Sequence, residues 1–95
     1  MSNKYETMVI FSVAQGDEAV QPLVEKFKAM IEENGTLESI DEWGKRELAY
    51  LINDEPEGYY VIYYYEADTE FPKELDRVLN ITDGVLRSLI INKND

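Results

Sequence analysis

Residues 59–65 read Tyr-Tyr-Val-Ile-Tyr-Tyr-Tyr, an unbroken run of aromatic and β-branched side chains. Such residues suit a pleated strand, and these leave it no polar face beyond the tyrosine hydroxyls. With side chains alternating, one face carries Tyr59, Val61, Tyr63 and Tyr65 and the other Tyr60, Ile62 and Tyr64. A strand apolar on both sides needs cover on both sides.

Immediately before this run, Asn53-Asp54-Glu55-Pro56-Glu57-Gly58 has the composition of a turn, which predicts a hairpin with the segment upstream. That segment, Thr36 to Ile52, alternates at its ends, with Leu37 and Ile40 near the start and Leu48 to Ile52 near the finish. Its middle, Asp41 to Arg46, breaks the alternation. Gly44 there predicts a bulge or bend, with the middle projecting beyond the sheet.

Further out, Val20, Leu23, Val24, Phe27, Met30 and Ile31 fall at the spacing of one helix face, with Pro22 in the first turns and Gly35 as the stop. Tyr5 to Val13 predicts a first strand, with Thr7, Val9, Phe11 and Val13 on one face and Met8 and Ile10 on the other. Downstream, Leu75, Val78 and Leu79 form a second helical stripe behind Phe71-Pro72. Asp83-Gly84 closes it, and Val85 to Asn92 is a last apolar strand. The order βαββαβ predicts a single α+β domain over residues 1–95, a four-stranded antiparallel sheet with two helices on one face. The helices cover one face only, so the other, aromatic and apolar here, is expected to receive a partner.

A chain of 95 residues with 44% hydrophobic content suits one core. It has no cysteine or histidine, which removes thiolate nucleophiles, ordinary zinc sites and the usual neutral-pH proton shuttle. Adjacent carboxylates such as Glu32-Glu33 and Asp54-Glu55 lack a histidine or cysteine beside them, and Asp54-Glu55-Glu57 lacks metal-ligand spacing. No catalytic residue, metal, cofactor or small-molecule substrate is expected. No apolar run reaches membrane length and the N-terminus lacks a leader pattern, which predicts a soluble, cytoplasmic protein without a membrane partner. Twenty acidic against 9 basic residues give a net charge of −11, which opposes general nucleic-acid binding.

Several strings also match a known family. Tyr5-Glu6, the segment Trp43-Gly44-Lys45-Arg46-Glu47-Leu48-Ala49-Tyr50, the turn into Gly58-Tyr59-Tyr60, and Asp83 to Arg87 closing with Leu89-Ile90-Ile91 resemble the bacterial ribosomal protein S6 family. The similarity runs in order and spacing over essentially the whole chain. The resemblance implies a ferredoxin-like domain without enzyme activity or cofactor. It also implies pairing with ribosomal protein S18 and, with it, binding of the central domain of small-subunit 16S ribosomal RNA. The chain departs from the family at Leu51, where many members have proline, and at Asn80, Thr82 and Leu86, near which several members carry extra basic residues. Members also often have a longer C-terminal tail.

On that resemblance, Lys45 and Arg46 are the first candidates for RNA contact, a lysine charge beside a guanidinium that can grip phosphate bidentately. Tyr50 and Lys4 are expected to extend the patch, with Arg87 and Lys93 as further candidates. For the protein partner the candidates are Tyr60, Ile62 and Tyr64 with Met8 and Ile10, joined by Leu89 and Ile91. A one-residue change of register would expose the complementary set instead. Trp43 is either an interface anchor near the strand bend or a ring capping the core.

Three rivals share the topology. Glu57 to Tyr64 partly follows the base-stacking strand of RNA-recognition domains, but lacks its leading basic residue and the small residue after the first aromatic. An acylphosphatase-like enzyme would carry an arginine in the first strand-to-helix loop, where this chain has Ala14-Gln15-Gly16-Asp17. A dimerising or small-ligand-sensing module would use the same exposed sheet.

Overall fold

Helical spacing and strand alternation both become the elements they predict. The computed structural model describes residues 2–52 and 54–93. Strand β1 is Ser2–Ser12, and a short 3-10 turn at Asp17–Ala19 leads into α1, Val20–Asn34. Then come β2, Gly35–Ile52, β3, Glu55–Asp68, α2, Phe71–Ile81, and β4, Val85–Asn92. The sheet order is β2-β3-β1-β4 with antiparallel neighbours throughout. Each helix therefore carries the chain over one intervening strand, β3 under α1 and β1 under α2. This is the ferredoxin-like arrangement.

Both helices lay their apolar stripes on one face of the sheet. Val20, Val24, Phe27 and Ile31 of α1 and Phe71, Leu75 and Leu79 of α2 are buried against Tyr5, Val9 and Phe11 of β1 and Val61, Tyr63, Tyr65 and Ala67 of β3. Each such aliphatic side chain stabilises by about 1.5–3 kcal/mol relative to exposure. Aromatic packing adds specificity, since Tyr65 stacks on Tyr5 at 5.7 Å and meets Phe71 edge-on at 5.9 Å.

Tyrosine fits this core because its hydroxyls find partners. Tyr63 donates to the Val24 carbonyl at 3.0 Å, and Tyr65 shares a 2.8 Å hydrogen bond with Thr7, which is itself fully buried. Burial pushes both phenols above their ordinary value, so they remain neutral.

The structure alters three local expectations. Gly35 follows α1 as anticipated, but it is extended and begins β2 directly, so the helix passes into the strand without a separate stop. The expected turn is shorter than its composition suggests. The chain reverses at Asp54, whose φ is 65°, and Glu55 to Gly58 already belong to β3; Asn53 lies outside the described residues.

The middle of β2 does not project beyond the sheet. Asp41, Glu42, Gly44, Lys45 and Arg46 pair with Ile62, Val61, Tyr60, Tyr59 and Gly58, and Trp43 is the one extra residue. Gly44, at φ 83°, absorbs it in a conformation that L side chains rarely adopt. Regular pairing lapses later, between Glu47 opposite Glu57 and Ile52 opposite Glu55. There β2 uses more residues than its neighbour over the same span.

The Thr7–Tyr65 hydrogen bond makes a quantitative prediction. Thr7→Val leaves a buried phenol unpaired and should cost about 1–3 kcal/mol, as should Tyr65→Phe. Removing both partners should cost less than the sum of the two by about 1 kcal/mol in a denaturant double-mutant cycle. Strict additivity would show that the two hydroxyls do not interact.

Candidate functional site

The antiparallel registers arrange the face away from the helices in cross-strand rows. Arg87, Ile10, Tyr60 and Gly44 form one row; Leu89, Met8, Ile62 and Asp41 the next; Ile91, Glu6, Tyr64 and Ser39 the third. All the sheet residues nominated for a protein partner fall on this face, and the complementary set faces the helices. Register thus decides the strand parity that composition left open.

This face is not bare in the isolated chain. Ile10 and Ile62 are only 4% and 5% exposed, whereas Leu89 and Ile91 on the edge strand are 49% and 41% exposed. Part of the cover comes from the end of β2. Leu48, Ala49, Tyr50 and Ile52 stand over Met8, Ile10, Tyr60, Arg87 and Leu89 around a hollow of about 280 Å³. Arg87 donates to the Tyr50 hydroxyl, tying this arm to β4 on the far side of the sheet. The residues freed by the lapse in pairing, Leu48 to Leu51, together with the paired Ile52 thus become a partial lid.

Gly58 makes that arrangement possible. A Cβ on Gly58 would collide with Ile10 Cγ2 and lie 3.5 Å from Leu48 Cδ2. The missing side chain is the space into which Ile10 and the arm settle.

Trp43 belongs to this face and does not cap the core. Its ring stacks on Tyr60, 6.2 Å between centroids and 11° between planes, and its indole N–H donates to Asp41 Oδ2 at 2.9 Å. The Arg46 guanidinium lies 5.5 Å from the Trp43 ring centroid. Tyr59, on the other face, donates to Glu42 Oε1 at 3.0 Å. Burial, followed by that carboxylate, raises the Tyr59 phenol above its ordinary value.

The six RNA candidates do not form one patch. Lys45 pairs with Tyr59 and Arg46 with Gly58, so the strand alternation sends these neighbours to opposite sides. Tyr50 and Arg87 meet each other at the same end of the sheet as Arg46. Lys4 does not extend the patch: it lies in the Glu66 register at the other end of β1 and pairs with Glu38 at 3.5 Å. Lys93 is beside it, its backbone N–H donating to the Lys4 carbonyl and its ammonium 3.5 Å from Glu6. At roughly 3.4 Å per residue, Lys4 is about 20 Å from Ile10 along β1.

Carboxylate pairing sorts the remaining cations. Lys28 pairs with Glu25, Lys73 with Glu70 and Arg77 with Glu74, whose carboxyl that guanidinium holds below the usual range. Among the described residues, Lys45, Arg46 and Arg87 make no such pair, and all three sit at the hairpin end. Lys26 on α1 makes none either and lies over Phe27. The arm has no signature in the sequence, because Leu48 to Ile52 have the same continuous apolar composition whether they pair or fold over.

The geometry weakens the base-stacking rival. The open face of β1 presents Glu6, Met8 and Ile10, with no aromatic to complement Tyr60 and Tyr64. Among the described residues there is no group of three or more carboxylates placed to hold a metal ion, and no helix is long and apolar enough to cross a membrane.

The model of the family described as Ribosomal protein S6 matches residues 4–92. The chain belongs to the ribosomal protein S6 family. It is 50% identical over 91 residues to the small ribosomal subunit protein bS6 of Clostridium perfringens (strain SM101 / Type A), covering 95% of this chain and 96% of that one. It is 51% identical over 92 residues to bS6 of Thermoanaerobacter pseudethanolicus, covering 96% and 97%. The crystal structure of 30S ribosomal protein S6 from Thermotoga maritima matches with a TM-score of 0.91 at 28% identity, covering 98% of this chain and 89% of that one. S6 proteins are structural and non-enzymatic, in keeping with a site made of an apolar face and cations.

For this S6 domain the close contact at Gly58 is testable. Gly58→Ala should destabilise by about 1–3 kcal/mol through overpacking against Ile10 and Leu48, read as a lower denaturation midpoint at unchanged slope. A variant as stable as the parent would contradict that packing.

Proposed function

We propose that this structural protein of the small ribosomal subunit binds the central domain of 16S ribosomal RNA jointly with ribosomal protein S18. S18 docks on the open sheet face, over the exposed edge of Leu89 and Ile91 and the half-buried Met8, Tyr60 and Tyr64. Ile10 and Ile62 form the floor beneath, and Trp43, stacked on Tyr60, borders the docked surface at the β2 side. RNA phosphates meet Arg46 and Arg87, with Tyr50 beside them, Lys45 on the opposite side of the same end of β2, and Lys4 and Lys93 as a separate, weaker contact.

The observation that carries this reading is the collection of Lys45, Arg46 and Arg87 at one end of the sheet, uncommitted to carboxylates among the described residues in a chain of net charge −11. Elsewhere cations are largely neutralised in place. The overall charge repels RNA, and a basic partner on the neighbouring apolar face offsets it, which makes binding cooperative.

The test is binding of the purified protein to a 16S central-domain fragment at fixed salt, with and without S18. Tight binding is expected only with S18. Lys45→Ala with Arg46→Ala should weaken assembly and reduce the salt slope by about 1 for each phosphate no longer neutralised, with the circular dichroism spectrum unchanged. No binding under either condition, together with self-association of the chain, would contradict the proposal and favour a dimerising module.

A further inference from the structure

Arg46 is the strongest candidate for phosphate contact, and its surroundings are more specific than a surface cation needs. Three carboxylates lie within a few residues of it: Asp41, Glu42 and Glu47. Asp41 accepts the indole N–H of Trp43, and Glu42 accepts the Tyr59 hydroxyl. Glu47 follows Arg46 directly and so projects to the other side of the strand. The guanidinium is left facing the Trp43 ring, which is stacked on Tyr60 and still 45% exposed.

We propose that Trp43 is a positioning residue for RNA recognition: its ring holds the Arg46 guanidinium flat while its N–H holds Asp41 away from that charge. The inference rests on the reading that Arg46 contacts RNA. A guanidinium donates through its edge and stacks through its face, so a phosphate can be gripped bidentately while the indole contact persists. The contact limits the rotamer freedom that an arginine otherwise loses on binding. The backbone explains the placement. Trp43 is the extra residue of the bulge that Gly44 permits, and this puts its ring on Tyr60, on the same face as Arg46.

The experiment uses the full chain with saturating S18 and the 16S central-domain fragment. Parent, Arg46→Ala, Trp43→Leu and the double variant are compared across a salt series. Arg46→Ala should weaken RNA binding about tenfold or more, the scale of a charged hydrogen bond. Trp43→Leu should weaken it about two- to fivefold, the scale of an exposed cation–π contact, and should add almost nothing once Arg46 is gone.

Trp43→Phe keeps an aromatic face and should fall between parent and Trp43→Leu. Adding Asp41→Asn to Trp43→Leu should restore part of the affinity. Trp43 is the single tryptophan, so its emission in the free protein should also shift in Arg46→Ala, a readout that needs no RNA.

Equal losses from Trp43→Leu with and without Arg46, or emission indifferent to Arg46→Ala, would overturn the positioning role while leaving the RNA reading intact. Unchanged RNA affinity in Arg46→Ala would remove the RNA contact itself, and the positioning role with it.

Discussion

Two crossover helices can cover only one face of a four-stranded sheet, and β3 is apolar on both of its faces. Everything distinctive about this domain follows from that mismatch. Tyr63 and Tyr65 satisfy their hydroxyls beneath the helices, at the Val24 carbonyl and at Thr7, and so behave as core residues. Tyr60, Ile62 and Tyr64 on the opposite side have no helix above them. The chain answers in part with its own end of β2, which leaves regular pairing after Glu47, crosses above Ile10 and reaches Arg87 through Tyr50. What it leaves uncovered is the β4 edge, Leu89 and Ile91, where a partner's apolar side chains can complete the cover.

The electrostatics of the domain repeat this division of labour. Acidic side chains dominate the surface, and among the described residues most cations are matched to carboxylates on the same helix or elsewhere at their own end of the sheet. Exposed pairs of that kind contribute little to stability, but each removes a cation from the set available to phosphate. The arginines of the hairpin end are held instead by neutral aromatic groups, Arg46 by the Trp43 ring and Arg87 by the Tyr50 hydroxyl. A cation held by an aromatic neighbour keeps its full charge for a later ligand. Local availability of charge, more than net charge, reconciles a strongly acidic chain with a place beside RNA.

How much of this is legible in the amino-acid sequence differs from element to element. The helical stripes of Val20 to Ile31 and Leu75 to Leu79 read correctly, because their periodicity directly encodes which side is buried. The two faces of β3 are also legible as sets. Which set lies under the helices is not, because it depends on register with β1 and β2. Polar residues hide the full reach of the strands, since Ser2 to Lys4 still pair with Glu66 to Asp68 outside the apolar runs. Gly44 announces its bulge, but not that the bulge turns Trp43 onto Tyr60. Lys45 and Arg46 read as one patch because they adjoin in sequence, whereas alternation separates them in space. Lys4 departs from its expected place for a related reason: nearness to the start of a strand does not say which end of the sheet it occupies.

The central claim is that the sheet face away from the helices is completed by a protein partner. Methyl NMR of the purified domain during titration with ribosomal protein S18 tests it most directly. Shifts should concentrate on Met8, Ile10, Ile62, Leu89 and Ile91, with the arm residues Leu48 and Ile52 following as the lid adjusts. Methyls packed beneath the helices, such as those of Val24, Ile31 and Leu75, should stay in place. Shifts centred on the outer surfaces of α1 and α2, with the open-face methyls unmoved, would contradict the account.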